Sequence, residues 1–250
     1  MIDEVHQTPS DIVVPEGYTR IEFTANISDI EQVNTRSVDP DGLDLNNMTL
    51  FCFNEYGLYI SSEVAILNTH TIDSGTFSAV IPNHTHIIHF LANHSEGLYD
   101  DTDFPGQTES MVVANMYGGS GMLVYWSRFE KDPESDKSIS EQISDISYVV
   151  NGQTVNGVKL IRNQAKITID SWETNQFIVT GFRTVNIPAF GTVAPHHPDR
   201  NFDIVDDWET TEEFVTLPNN QAIMSDIVDI NTKPEDYIFE TINSGDIIPE

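Results

Sequence analysis

Leu160-Ile161-Arg162-Asn163-Gln164-Ala165-Lys166-Ile167-Thr168-Ile169 is the stretch on which the fold of this 250-residue chain turns. From Lys166 to Asp170 apolar and polar residues alternate, the period-2 signature of a half-buried strand. Read as one strand, the stretch puts Arg162 and Lys166 on one face and Asn163 and Ala165 on the other. Arg20 to Ala25 alternates in the same way. Met48 to Phe53 and His86 to Ala92 are continuous apolar runs, which read as strands buried on both faces or lining a sandwich core. Asp41-Gly42, Tyr56-Gly57 and Ser74-Gly75 mark turns, and Asn151-Gly152 and Asn156-Gly157 predict tight hairpins ahead of a strand that begins near Val158. Helical periodicity is sparse: Ile139, Ile143 and Ile146 predict a short helix over Ser138 to Ile146, and a second candidate lies between Asp103 and Asn115. The expected architecture is mostly β with antiparallel connections, because the turns are too short for crossover helices.

Composition narrows the function. With 11 Lys+Arg against 40 Asp+Glu the formal net charge is -29, which repels phosphate backbones and anionic lipid and argues against a nucleic-acid partner. A charge of that size also keeps an abundant protein soluble. Hydrophobic residues make up 39% of the chain, enough for a core in one large or two ordinary domains. The single cysteine, Cys52, lies in an apolar run and reads as a small buried hydrophobe that cannot form an internal disulfide. No apolar run reaches the roughly twenty residues needed to span a bilayer. Met1 to Gln7 lacks the basic and apolar regions of a secretory signal, so the expectation is a cytoplasmic protein or one whose targeting segment has been removed. Between Pro188 and Phe202 the chain is rich in breakers and without periodicity, which predicts a domain boundary.

The residues that could carry chemistry do not assemble into a motif. His84, His86, His89 and His94 crowd one segment, and His84 and His86 would share a strand face, yet a catalytic zinc site needs three ligands and a closed one four. His196-His197, with Asp199 and Asp203 following, is the other candidate cluster, and a metal-dependent hydrolase there is an alternative reading. Asp39-Pro40-Asp41-Gly42-Leu43-Asp44 resembles a calcium loop but lacks the terminal bidentate glutamate, and reads as a turn. Asp100-Asp101-Thr102-Asp103 reads as a solvated loop. Gly119-Ser120-Gly121 lacks the flanking pattern of a nucleophile elbow, and no phosphate loop or dinucleotide fingerprint is present. Neither a catalytic residue, a bound metal nor a cofactor is expected. A carbohydrate-binding module using Tyr117, Tyr125 and Trp126 is a further alternative, set against a core role for Trp126.

Leu160 to Ile167 resembles the hydrophobic-hydrophobic-Arg-Asn-x-Ala-Lys-hydrophobic signature in the amino-terminal domain of FimA-type fimbrillins, the type V pilus proteins of Bacteroidetes. Met48 to Gly57 is similar to that family's early strand, Phe-Asn and glycine turn. Phe77 to Pro82 followed by Ile87 to Asn93 is similar to its apolar strand ending in Ala-Asn, and Phe182 to Pro188 to its closing strand. The resemblance covers roughly residues 18 to 195. It implies a transthyretin-like antiparallel β-sandwich with Greek-key-like connections over 37–195, an amino-terminal segment over 1–36, and an extended segment or the start of a second β domain over 196–250. It also implies a non-enzymatic subunit exported as a lipoprotein and assembled into surface fimbriae. Its partners would be other fimbrial subunits, and host or bacterial surface proteins or glycans. In that family an amino-terminal strand is cut away after an arginine and a strand of the next subunit fills its groove. By resemblance, Arg36 in Val33-Asn34-Thr35-Arg36-Ser37-Val38 is the candidate processing site. Tyr18, Ile21, Phe23, Ala25 and Ile27 then belong to the candidate removable strand.

Overall fold

In the computed structural model the described residues are 13–27, 45–71, 73–94, 104–114, 116–119, 123–150, 152–168, 180–188, 190–194, 222–224, 228–229 and 235–238. In chain order they form β1 (Tyr18–Ile27), β2 (Met48–Phe53), β3 (Tyr59–Val64), β4 (Ile66–His70), β5 (Ser74–Pro82), β6 (Ile87–Ala92), α1 (Glu109–Ala114), β7 (Tyr117–Gly119) and β8 (Tyr125–Glu130). These are followed by α2 (Ile139–Ser144), β9 (Ser147–Val150), β10 (Gln153–Asn156), β11 (Val158–Arg162), β12 (Ala165–Thr168), β13 (Gly181–Phe182), β14 (Val185–Pro188) and β15 (Phe190–Thr192). The last three are β16 (Ala222–Met224), β17 (Val228–Asp229) and β18 (Glu235–Ile238). They divide between two compact units, one built from residues up to Val112 together with Tyr125–Ile161, the other from Val113–Val124 together with residues from Arg162 onward.

The first unit is one mixed sheet of eight strands in the order β3-β2-β6-β8-β11-β1-β5-β4. Its two end strands, β3 and β4, are joined by Ala65 alone, so the sheet must curl back on itself. Phe23 on β1 meets Phe90 on β6 with ring centroids 4.9 Å apart, although two strands separate β1 from β6 in the order. That contact sets the half β3-β2-β6-β8 face to face with the half β11-β1-β5-β4, and the core lies between them. Ile21, Phe23, Leu50, Cys52, Phe77, Ile81, Ile88 and Phe90 are all buried.

The apolar runs behave as their composition requires. Every residue of β6 is buried, and so are all but Thr49 of β2. One face of β6 carries Phe90 toward β1. The other carries His89, which packs with Phe53 of β2 and Trp126 of β8. Of the predicted helices, α2 starts at Ser138 with a full capping box, in which the Ser138 side chain accepts from the Glu141 N–H and Glu141 reaches back to the Ser138 N–H. Ile139 and Ile143, at i and i+4, are its buried side chains. β9 and β10 form the hairpin predicted at Asn151-Gly152, with Gly152 at φ 78° in the turn, whereas Asn156-Gly157 leads into β11, which pairs with β1 and not with β10.

Two sequence expectations need correction. Pairing in the described sheets is not wholly antiparallel, because β1 runs parallel to β11, with Ala25 opposite Val158 and Ile27 opposite Leu160. Turn length cannot forbid this pair, since the two strands lie more than a hundred residues apart and no turn joins them. Nor is Leu160 to Ile169 a single strand. β11 ends at Arg162, the chain bends at Asn163 and Gln164, and β12 begins at Ala165 and pairs with β18 instead. Asn163 and Gln164 are both buried at this bend. The Asn163 N–H donates to the Val124 carbonyl at 3.0 Å, and the Asn163 Oδ1 accepts from the Val124 N–H at 3.1 Å. One side chain thus supplies the acceptor that a continued strand would have offered, which satisfies a buried amide at the break.

In the second unit β12 pairs with β18, β13 with β17, β14 with β16 and β15 with β7, all antiparallel. The Val193 N–H donates to the Met116 carbonyl just beyond the β15–β7 pair. Most of 196–250 lies outside the described residues.

Gly157, between β10 and β11, sits at φ 115°, and a Cβ there would lie 2.5 Å from the Thr24 carbonyl oxygen of β1. Neither the backbone conformation nor the space admits a side chain. Gly157→Ala is expected to lower unfolding free energy by about 2–4 kcal/mol, combining left-handed strain with overpacking against backbone. Urea denaturation of the two proteins measures the loss.

Candidate functional site: β1 and the groove it fills

β1 is an internal strand. Along one edge it pairs antiparallel with β5 from Tyr18 opposite Pro82 to Asn26 opposite Ser74, and along the other its last three residues pair parallel with β11. Alternation decides which side chains enter the core. Ile21 and Ala25 are completely buried and Phe23 nearly so, while Tyr18 and Glu22 are exposed and Arg20, Thr24 and Asn26 are half-buried. Phe23 lies stacked on Phe77 at 5.6 Å and edge-on to Phe90. Two positions further on, Ala25 lies opposite Gly75 in β5 and Val158 in β11. A Cβ on Gly75 would come within 2.8 Å of the Phe77 ring, so there is no slack at this end. The groove is therefore wide at residues 21 and 23 and shallow at 25.

Of the five residues expected in the strand, the groove takes Ile21, Phe23 and Ala25 fully. Ile27, at the strand end, is half-buried, and Tyr18 falls on the outward parity. Arg36 lies outside the described residues. The outer face of β1 carries an Arg20–Glu22 ion pair, and α2 packs on the strand. Asn26 Nδ2 donates to the Asn156 carbonyl at 3.0 Å, and Ser144 Oγ on α2 lies 3.4 Å from the Glu22 carbonyl.

The other candidates separate. His84 is exposed in the turn before β6 rather than in a strand, so it does not share a strand face with His86. His86 is half-buried, 3.9 Å from Glu130. Among the described residues no group of three His, Cys, Asp or Glu side chains is placed to hold a metal ion. His196, His197, Asp39 to Asp44, Asp100 to Asp103, Ser120 and Gly121 lie outside the described residues. Cys52 is buried, and loss of hydration pushes its thiol up to about 12, well away from the thiolate a nucleophile needs. Tyr125 and Trp126 are buried, so they cannot form a carbohydrate platform; the run before Trp126 places it in the core.

His89 finds its partners in tertiary structure. The Trp126 indole N–H donates to its Nδ1 at 2.9 Å, so the neutral ring carries its proton on Nε2 and donates it to Glu109 at 2.9 Å. Arg128 grips both oxygens of Glu109, from Nε at 2.5 Å and from Nη2 at 3.2 Å, and also reaches Glu130. Burial holds the His89 ring below its ordinary value, and the nearby guanidinium adds to this against the pull of Glu109. Burial pushes Glu109 upward, but the hydrogen bond from His89 and the hydrogen bonds and charge of Arg128 outweigh it and hold the carboxyl at about 2. A donor-only imidazolium would face the Trp126 N–H, which strengthens the case for neutral His89. The cluster ties α1 to β6 and β8. No spacing rule joins residues 89, 109, 126 and 128, and the sequence offers only a candidate helix between Asp103 and Asn115 that includes Glu109.

No protein family model and no curated protein matches the chain. Among solved structures, a candidate cell adhesion protein from Parabacteroides distasonis ATCC 8503 superimposes with a TM-score of 0.54 at 15% identity, over 91% of this chain and 72% of its own. A second candidate cell adhesion protein from the same organism gives 0.44 at 12% identity, over 90% and 70%. The first likeness is one of fold: the chain shares a mostly β architecture with that protein.

The buried cluster has a consequence in acid. Unfolded His89 takes up a proton below its ordinary value of 6.5 while the folded ring stays neutral, so stability falls as pH drops through that value. Glu109, held down in the fold, adds a second loss as pH falls from 4.5 toward 2. His89→Gln, whose amide can accept from Trp126 and donate to Glu109, is expected to remove the first loss. Denaturation at pH 7 and pH 5 should show a decrement smaller by up to about 1.4 kcal/mol per pH unit below the free value.

Proposed function

We propose that this protein is a non-enzymatic adhesive subunit of a bacterial surface fimbrium, assembled by strand replacement. The chain is cut at Arg36, β1 leaves the groove between β5 and β11, and an extended strand from a neighbouring subunit takes its place. The observation that carries this reading is the position of β1. It is internal to the sheet and supplies Ile21, Phe23 and Ala25 to the core, yet it precedes β2 by some twenty residues and joins the sheet only through pairings that a separate chain could make. The fold likeness to a candidate cell adhesion protein supports the adhesive half of the proposal, and the ordered fimbrillin-like patches support the fimbrial half.

The physics of assembly follows from an exposed groove. Loss of β1 leaves two rows of unpaired backbone groups beside an empty apolar trough, and an incoming strand satisfies both at once. Backbone pairing supplies affinity while the groove reads alternate side chains. The incoming strand must offer a large aliphatic residue, an aromatic and then a small residue at alternate positions, matching Ile21, Phe23 and Ala25. A donor strand carried on a different surface from the groove makes the contact head-to-tail, which propagates as a fibre. The large negative charge is in keeping with an exported surface protein, and the place of action is the cell surface.

An Arg-specific protease should cut at Arg36 and leave the amino-terminal piece bound to a folded body until mild denaturant releases it. A synthetic peptide of residues 17–28 should then refill the groove. A Phe23→Ala peptide should bind at least about 100-fold more weakly, since truncating a buried phenylalanine costs roughly 3–5 kcal/mol. Intact mass at Arg36 after digestion, or equal binding by the two peptides, sinks the proposal.

A further inference from the structure

β8 and β11 are neighbours in the sheet, yet residues 131–157 separate them, and this connection carries α2 and the β9–β10 hairpin. α2 packs on β1, the strand beyond β11. Six residues are too few to hold a helix by themselves, so α2 depends on its attachments. Nearly all the polar ones run to its own loop. Ser138 and Glu141 close the capping box. Gln142 Oε1 accepts from the Asp132 N–H at 2.8 Å, while its Nε2 donates to the carbonyls of Asp132 and Lys137. Lys137 Nζ pairs with Asp145 at 2.5 Å.

The hold on β1 is of another kind. α2 packs on β1 and buries Ile139 and Ile143, and its polar contact with the strand is the long Ser144 Oγ to Glu22 carbonyl approach at 3.4 Å. At the far end of the connection, Gly157 fits against the Thr24 carbonyl and Asn156 accepts from Asn26. The helix can therefore lift from β1 with its own polar ties intact, while β1 cannot leave the sheet with the helix seated on it.

We infer that α2 is a strap over β1 whose opening sets how fast that strand can leave its groove. This rests on the strand-replacement reading and adds its kinetic control. Phe23 meets Phe90 of the opposite half of the sheet without the strap's help, so that half still covers the inner face while the strap is raised. A neighbouring subunit's strand then meets an opened edge on an otherwise folded body, and the strap closes over whichever strand occupies the place.

The test measures exchange. A site-specific protease sequence placed between residues 33 and 40 is cut, and uptake of a fluorescent peptide of residues 17–28 is followed by anisotropy. The proteins are the parent, Ile143→Ala, Ser138→Ala with Glu141→Gln, and Phe51→Leu. Phe51 is buried near Tyr59 on the face of β2 turned away from the groove, so its variant controls for general loss of stability. The strap predicts uptake faster by about tenfold or more in Ile143→Ala, which loses a buried side chain of the seated helix, and faster uptake in the capping-box variant, because an uncapped six-residue helix is less often formed to seat on the strand. It predicts uptake near the parent rate in Phe51→Leu at matched urea-derived stability. Equal rates in parent and α2 variants overturn the strap and leave strand replacement standing. Equal acceleration by Phe51→Leu overturns it as well. No uptake by any protein overturns strand replacement and the strap with it.

Discussion

The structure depends on the way Phe23 is held. Its ring lies stacked on Phe77 of the neighbouring strand and edge-on to Phe90 of the opposite half of the sheet, so one side chain on β1 joins both layers of the first unit. Aromatic pairs of this kind contribute about 0.5–1.5 kcal/mol beyond the area they bury. Removing β1 takes away the Phe23 contact between the halves and a nine-residue ladder with β5 together. The first strand among the described residues therefore also helps complete the core, which is the arrangement a replaceable strand requires.

A second constraint works on the outer face of β6. A sheet that buries both faces must cover each with something, and here the cover over β2, β6 and β8 includes α1. Covering a histidine costs solvation unless each nitrogen finds a partner. Trp126 and Glu109 provide those partners, and Arg128 balances the carboxylate. The polar cluster thus orients a short helix on a surface where apolar packing alone would allow it to slide. It also makes the first unit sensitive to acid, while the groove on the other side of the sheet contains no titratable side chain among Ile21, Phe23, Ala25, Phe77 and Phe90.

Local patterns in the sequence had different reach. The alternation of Arg20 to Ala25 gave the correct inward parity for Ile21, Phe23 and Ala25, because period 2 is a property of the strand alone. The runs at Met48 and His86 gave strands buried on both faces, and the spacing of Ile139 and Ile143 gave α2. The Leu160 to Ile169 stretch looked like one strand because its residues suit strands on either side of the break. Nothing local says that Asn163 turns inward to bond Val124, some forty residues earlier. Trp126 could be weighed as a surface aromatic only while its neighbour His89 was out of sight.

What the sequence by itself determined is the mostly β character, the strands at Arg20, Met48 and His86, the inward parity of β1, a short helix in the long connection, and a strongly negative charge. These are local properties, set by composition, side-chain period and turn residues. Tertiary structure alone decided that β1 lies parallel to β11, that Phe23 spans the two halves of the sheet, and that His89, Glu109, Trp126 and Arg128 converge. It also decided that α2 rests on β1. Each of these joins residues far apart in the chain, where the choice among partners depends on which pairing fills the core and satisfies every buried donor, and no local pattern encodes that sum.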